Sequence, residues 1–255
     1  MAALKARDGR DPRELAAMDI DKHLGDRALK TRYVATMFDI LAPGYDTFTR
    51  VFSFGMDRGW KRRLIDEAVR RAPKAPRILD LACGTGDLGR ELAQRTSAPM
   101  TLGLDLSPVM LSEASRHAGA MQLAACDMLR LCVPDNSFEM VSVGYGIRNT
   151  PDAQQALKEI ARAIKPGGIF LNLDFYKPAN RPWRKLLLQY MWHAGSLAGW
   201  IWHREPIVYG YIAHSIRRFL TIAEFESALT AAGFAIEWRA SRLGGGIGMH
   251  VARRL

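Results

Sequence analysis

The chain has 255 residues, 48% hydrophobic and 24% charged, a balance that suits one α/β domain with appendages. No uncharged apolar run reaches the ~20 residues of a bilayer-spanning helix, and the amino-terminal segment lacks the apolar core of a secretory signal. Lys and Arg outnumber Asp and Glu by 36 to 26, and the net charge of +10 fits nucleic acid, an anionic membrane surface or a generally basic proteome.

Residues 1–30 mix both signs of charge and read as a flexible arm that becomes helical from Asp11. Residues 31–75 read as a helical cap over a core at 76–255. Lys61, Arg62, Arg63, Arg70, Arg71 and Lys74 cluster within this cap, as a solvated helix face or as a binding patch. Ile78–Leu81 then reads as a short buried strand, and Gly84-Thr85-Gly86 turns it into a helix starting near Leu88. Glycine lets a backbone approach a ligand closely, and a helix N-terminus offers unpaired N–H groups, so strand, turn and helix together predict a nucleoside cofactor site. The turn is read as a bare Gly-x-Gly, weak evidence alone and a reason to set aside an NAD-dependent dehydrogenase. Asp105 strengthens the site. It closes the next strand, Met100–Asp105, nineteen residues beyond Gly86, where a carboxylate can accept both hydroxyls of a ribose.

Further strands are predicted at 121–125, 140–144 and 168–175, with helices at 88–95, 108–117 and 153–164 between strands. Ser107-Pro108 starts the second of these helices, Ser as N-cap and Pro at the first position. Lys165-Pro166-Gly167-Gly168 stops the third and leads into a strand. Residues 178–215 read as a lid or substrate insertion. Within it, 183–203 is rich in Leu and Trp and predicts a helix, with Gly195 and Gly199 as places for a break. Phe234–Ser241 and Ile247–Arg254 are joined by three glycines, too short a link for a parallel crossover, so they pair antiparallel. The expected architecture is α/β: a Rossmann-like seven-stranded sheet, mostly parallel, ending in an antiparallel hairpin, as in class I methyltransferases. Cys83, Cys126 and Cys132 show no metal spacing and read as reduced thiols, and no metal site is expected.

The motifs go further than the pattern. Asp80-Leu-Ala-Cys-Gly-Thr-Gly86 resembles the first motif of S-adenosylmethionine-dependent methyltransferases. Tyr45-Asp46 through Trp60-Lys61, Pro134–Phe138, Tyr145-Gly-Ile-Arg148-Asn149, Lys165–Gly168 and Tyr209–Ile216 follow in the order of the ubiquinone/menaquinone biosynthesis C-methyltransferase family, which the chain resembles over roughly 31–255. Departures stand at Phe48 and Thr49 (usually Met-Asn), Asp57 (usually His), Asp174-Phe175-Tyr176 (usually Glu-Phe-Ser) and Gly144 (usually Ser). The resemblance implies S-adenosylmethionine as cofactor, held by Tyr45, Asp80, Gly84, Thr85, Gly86, Asp105, Leu106, Asp127, Met128 and Gly144. Asp127 with the Met128 backbone would read adenine, and Thr85 with the glycines would hold the methionyl part through backbone N–H groups.

Methyl transfer to a quinol carbon requires an adjacent hydroxyl to lose its proton. Arg148 and Asn149 leave the fourth strand where the acceptor should meet the methyl group. Arg148 can orient a water or stabilise phenolate charge, or else serve as a loop salt bridge. Asp46, Tyr209 and His250 are further candidates, His250 also reading as a hydrogen-bonded core histidine. The expected acceptor is demethylmenaquinol or a ubiquinol-pathway benzoquinol with an isoprenoid tail. The alternatives are another phenolic or isoprenoid-like molecule, or a basic nucleic-acid module, though interleaved aromatic and basic residues are not evident outside 183–203 and no nucleic acid is expected. That helix would meet the inner membrane face from the cytoplasm, pack as a lid, or form a homodimer contact.

Overall fold

The computed structural model describes residues 13–16, 18–53, 55–203 and 207–255. Strands β1 (Arg77–Leu81), β2 (Met100–Asp105), β3 (Gln122–Ala125), β4 (Phe138–Gly144), β5 (Ile164–Phe175), β6 (Phe234–Arg242) and β7 (Ile247–Arg254) form one sheet in the order β3-β2-β1-β4-β5-β7-β6. The first five strands are mutually parallel, and β7 alone is reversed, between β5 and β6. This is the expected mostly parallel sheet with its antiparallel hairpin. Strand order reverses direction between β1 and β4, so their connections leave to opposite sides and open a crevice at the carboxyl ends.

Both faces of the sheet are covered, which is why its central strands read as continuous apolar runs rather than alternating ones. On one face, α5 (Met56–Val69) and α6 (Asp87–Thr96) bring Trp60, Leu64, Ile65, Leu88 and Leu92 against Met140, Ile169, Leu171 and Val251. On the other, α8 (Ala153–Ala163) and α11 (Ile222–Ala231) bring Leu157, Ile160, Phe225 and Leu229 against Val141, Phe170 and Phe234. The buried positions of α8 (Ala156, Leu157, Ile160, Ala163) recur at the helical repeat, one stripe facing the sheet. Side-chain caps fix where the helices start. Ser107 accepts from the Met110 N–H at the head of α7 (Pro108–Ser115), as the sequence predicts, Asp152 accepts from Gln155, and Thr221 and Glu224 form a capping box.

Before the sheet come α1 (Arg13–Ala16), α2 (Ile20–Gly25), α3 (Arg27–Leu41) and α4 (Tyr45–Phe52). The helical cap thus starts earlier than residue 31. Lys30, assigned to the arm, lies inside α3, and Leu15 is buried with Tyr33, Met37 and Tyr211. Between β5 and α11 run α9 (Arg181–His203) and α10 (Ile207–Arg218), packed through Leu187, Met191, Ala213 and Ile216. No break occurs at Gly195 or Gly199. A glycine inside a helix costs only about 1 kcal/mol, less than the packing of a 23-residue helix recovers. β5 also starts earlier than Gly168: Ile164 pairs with Phe138, the chain loops out, and Ile169 pairs with Met140. Gly167, at φ 76°, provides the left-handed turn this loop needs. No helix among the described residues is long and apolar enough to cross a membrane.

Candidate active site

A cavity of about 1080 Å³, its open mouth included, lies at the carboxyl ends of β1, β2 and β4 beneath α3 and α4, large enough for a nucleoside-sized ligand beside an acceptor. Every residue expected at the cofactor site except Gly86 lies on its wall. Gly86 shapes the turn instead. It sits at φ 77° as the N-cap of α6, and its N–H donates to the Cys83 carbonyl at 2.7 Å. The Gly84 N–H is also engaged, donating to Asp105 Oδ2 at 2.9 Å. Neither glycine N–H therefore points at a ligand; the glycines allow the close turn and are held by it. Gly89 also corrects the reading of this turn, because Gly84, Gly86 and Gly89 do have the Gly-x-Gly-x-x-Gly spacing. The glycine count therefore does not separate this chain from dinucleotide enzymes. Gly89 has a packing reason: a Cβ there would lie 2.8 Å from Asp80 Oδ2.

Asp105 closes β2 with both oxygens fixed, Oδ2 by Gly84 and Oδ1 by the Ser107 N–H at 2.9 Å. A carboxylate oxygen accepts more than one bond, so each retains room for a hydroxyl of a ligand. Burial raises its pKa and the backbone N–H groups oppose that. Asp80 is more deeply buried, accepting from Ser142 Oγ at 2.6 Å and the Gly89 N–H at 3.1 Å, and it ties α6 to β1 and β4. Burial pushes its carboxyl up to about 7, against the hydrogen bond from Ser142. Asp127 accepts from the Leu129 N–H at 2.9 Å, which sets the loop after β3, and Met128 adds an apolar wall. From α3, Asp39 Oδ1 accepts from Ser107 Oγ at 2.5 Å, clamping the cap over the start of α7.

A second part of the wall is formed by Tyr45, Lys61, Asp87, Tyr145 and Asn149. Tyr145 follows β4 at φ 60°, a left-handed conformation costing a non-glycine residue about 1–3 kcal/mol. Contacts hold it there. Its N–H donates to the Leu173 carbonyl at 2.7 Å, its ring lies 5.3 Å from that of Phe175, and its hydroxyl donates to Asp57 Oδ1 at 2.6 Å. Asp57 Oδ2 pairs with Lys61 Nζ at 2.9 Å, and Lys61 also reaches Asp87 Oδ2 at 2.7 Å. Burial alone would lower the Lys61 pKa, but the two carboxylates outweigh it and raise it. Burial raises Tyr45 to about 12 and Tyr145 further.

The turn Ile147–Asn149 is pinned from three elements. Lys30 Nζ donates to the carbonyls of Arg148 and Thr150 at 3.1 and 2.5 Å, and burial, aided by Arg148, brings its ammonium down to about 8. Asn149 Nδ2 donates to the Tyr145 carbonyl and its Oδ1 accepts from the Tyr211 hydroxyl at 3.1 Å. Arg148 is not on the cavity wall. Its guanidinium lies 3.6 Å from Asp174 Oδ1, donates to Ser215 Oγ at 3.2 Å and covers the Phe175 ring. Asp174 is fully buried and also accepts from the Arg148 N–H at 2.9 Å, so the pair braces the turn against β5 and α10. The side chains of Asp46 and Tyr209 lie outside the described residues. His250 is a core residue on β7 between the Tyr176 and Phe225 rings, away from the cavity. Neither of its ring nitrogens has a hydrogen-bond partner, Glu226 Oε1 lying at 3.4 Å, and burial lowers its pKa to about 4.

Lys61, Asp87 and Tyr145 were absent from the residues expected at the site. The i,i+4 spacing of Asp57 and Lys61 on one helix signals their pairing in the sequence, and Tyr145 opens the Tyr145-Gly-Ile-Arg148-Asn149 motif, but nothing there signals its contact with Asp57. The rest of the basic cluster is partly neutralised, Arg70 and Arg71 by Glu67.

The structure resembles a chain from the complex between the Haloferax volcanii Trm112 methyltransferase activator and a methyltransferase, at TM-score 0.62 and 20% identity over 85% of this chain and 96% of that one. It also resembles the S-adenosylmethionine-dependent methyltransferase from Mesorhizobium loti, at TM-score 0.53 and 23% identity over 74% and 96%. At such identities the likeness shows the class I methyltransferase fold. In sequence, the chain is 36% identical to the demethylmenaquinone methyltransferase of Deinococcus radiodurans over 87% of this chain and 92% of that one. It is 35% identical to the ubiquinone/menaquinone biosynthesis C-methyltransferase of Geotalea daltonii over 80% and 89%. The model of the ubiE/COQ5 methyltransferase family matches residues 26–254, and the chain belongs to that family.

Proposed function

We propose that the protein transfers the methyl group of S-adenosylmethionine to a ring carbon of a reduced quinone, demethylmenaquinol or a ubiquinol-pathway benzoquinol. The observation that carries this reading is one cavity with two unlike walls. One presents a half-buried acidic acceptor, Asp105, beside Leu106, Met128 and the Gly84 turn; the other presents the hydroxyl, amide and ammonium groups of Tyr45, Tyr145, Asn149 and Lys61. The first wall fits a nucleoside, since Asp105 can accept from ribose hydroxyls while its own oxygens stay fixed by backbone donors. When bound, S-adenosylmethionine supplies an electrophilic methyl group. The protein's part is to orient the acceptor carbon and to exclude water beneath α3. Relatives named for demethylmenaquinone and for ubiquinone/menaquinone biosynthesis support the acceptor class. Incubation with methyl-labelled S-adenosylmethionine and a panel of demethylated quinols under reducing conditions should label a ring carbon, and no label on any quinol would refute the proposal.

A polyprenyl acceptor resides in a bilayer, and α9 offers a means of reaching it. Leu186, Tyr190, Leu197 and Trp200 are all exposed, and at about 100° per residue they share one face of the helix. Arg184 and Lys185 lie near its start, and Leu187 and Met191 bury the other side. An apolar face with basic residues at one end suits peripheral contact with an anionic lipid surface. Co-sedimentation with anionic vesicles should fall in Leu197→Glu/Trp200→Ser, while turnover of a tail-less quinol stays unchanged. Unaltered sedimentation would remove this face from consideration.

A further inference from the structure

We infer that Tyr145, backed by Asp57, takes the proton from the acceptor's hydroxyl, a role that rests on the quinol reading above. Tyr145 is on the cavity wall, and its hydroxyl is committed to Asp57 Oδ1 at 2.6 Å. Its oxygen keeps lone pairs that can accept from a further donor, and in this reading that donor is the acceptor's hydroxyl in the cavity Tyr145 lines. The chain adopts a left-handed backbone at an aromatic residue to hold the ring there. Asp57 is buried and acts through Tyr145 as a positioning residue, with no place on the wall itself.

The step balances without a further reactant. The acceptor's O–H bond breaks and its proton bonds to Tyr145 Oη, while the proton on Tyr145 Oη moves to Asp57 Oδ1. The electron pair left on the acceptor oxygen is delivered through the ring to the carbon that bonds the methyl group. S-adenosylmethionine, when bound, would supply the methyl group and keep the C–S electron pair on sulfur. The hydrogen on the methylated carbon leaves as a proton to solvent and restores the aromatic ring as a phenolate, which takes back the proton from Tyr145 Oη as Asp57 returns its own to Tyr145. Tyrosine is never left anionic, which suits a phenol whose ionisation burial opposes. Lys61 Nζ pairs with the other oxygen of Asp57, Oδ2, and stabilises negative charge along the path. The charged and titratable groups facing this path are Lys61 on α5, Asp87 on α6, Tyr45 on α4, Asp174 on β5 and Arg148 beyond β4.

Two variants test it. Asp57→Asn keeps the shape and removes the proton acceptor. Its kcat should fall by about 10²-fold, and its rate should climb with pH, about tenfold per unit, where the original enzyme is level, because solvent hydroxide must replace the relay. Asp57→His should restore part of the rate. Tyr145→Phe removes only the hydroxyl and has a readout independent of turnover, fluorescence titration with 1-naphthol and 1-methoxynaphthalene. The original protein should prefer the phenol about tenfold, the value of one hydrogen bond, and Tyr145→Phe should bind both alike. An Asp57→Asn enzyme with unaltered kcat and pH profile, or a Tyr145→Phe protein that keeps the preference, would overturn the relay. Should the original enzyme show the phenol preference yet label no quinol, the quinol reading would fail and the proton site would remain.

Discussion

The two walls of the cavity are built by different means. The wall proposed for the cofactor is made from consecutive pieces of chain. β1 ends, the glycine turn follows, α6 begins, and Asp105 sits at the end of the adjacent strand where two backbone N–H groups fix it. The wall proposed for the acceptor is assembled from distant segments, α3, α4 and α5 before the sheet and the turn after β4, held by side chains. Backbone hydrogen bonds make the first wall insensitive to most side-chain changes. The second depends on a few buried charges and hydroxyls whose removal leaves partners unsatisfied. Substitutions in the two walls should therefore fail differently, one in ligand affinity with the fold intact, the other in stability or proton transfer with cofactor affinity intact.

The largest effect is expected at Asp105. In Asp105→Ala the ribose loses a charged acceptor for two hydroxyls, at about 1.5–3 kcal/mol each, so cofactor affinity by calorimetry should fall at least ~10²-fold. Next is Arg148. Arg148→Ala strands the fully buried Asp174, which keeps backbone donors but loses its guanidinium, at a cost of about 3 kcal/mol. Thermal unfolding should show this as a Tm lower by roughly 10 °C, with cofactor affinity within about threefold. If instead Arg148→Ala leaves Tm unaltered and weakens cofactor binding, the division between the walls is wrong.

The same contrast explains what the sequence reveals. The sheet, its hairpin and the Ser107 cap are legible because each rests on period, turn chemistry or a contact within three residues. The place of Asp105 on the cavity wall is legible because strand ends in this topology converge on one crevice. Asp57 and Tyr145 are 88 residues apart, Lys30 and Thr150 are 120 apart, and Tyr211 and Asn149 are 62 apart; no local pattern encodes such pairs. Arg148 shows the limit within a recognised motif. The motif locates the turn, but side-chain direction depends on Asp174, which only the strand register brings beside it.

Gly89 probes the junction of β1 and α6. Alanine is favoured over glycine in a helix by about 1 kcal/mol, yet its Cβ would lie 2.8 Å from Asp80 Oδ2 and 2.9 Å from Asp80 Cβ. Overpacking against a buried side chain costs about 1–3 kcal/mol, so Gly89→Ala should be net destabilising by about 1 kcal/mol, measured by urea unfolding. A more stable variant would mean that α6 can shift outward and that the cofactor wall is looser than its backbone bonds imply.

Asp80 adds an effect that appears only as a slope with pH. The Asp80 carboxyl has its pKa raised by burial to about 7 in the fold, from 3.8 when exposed. Between those values the folded protein holds a proton that the unfolded chain has released. Stability from this group is therefore greatest below pH 4, declines as pH rises toward 7, and is level above it, with a slope of at most about 1.4 kcal/mol per unit. Asp80→Asn removes the titration while retaining an acceptor for Ser142. The difference in unfolding free energy between the original protein and Asp80→Asn should thus shift toward the variant from pH 5 to 7. A difference that stays constant would mean that Asp80 is charged throughout, with Ser142 and Gly89 offsetting its burial as effectively as the backbone donors fix Asp105.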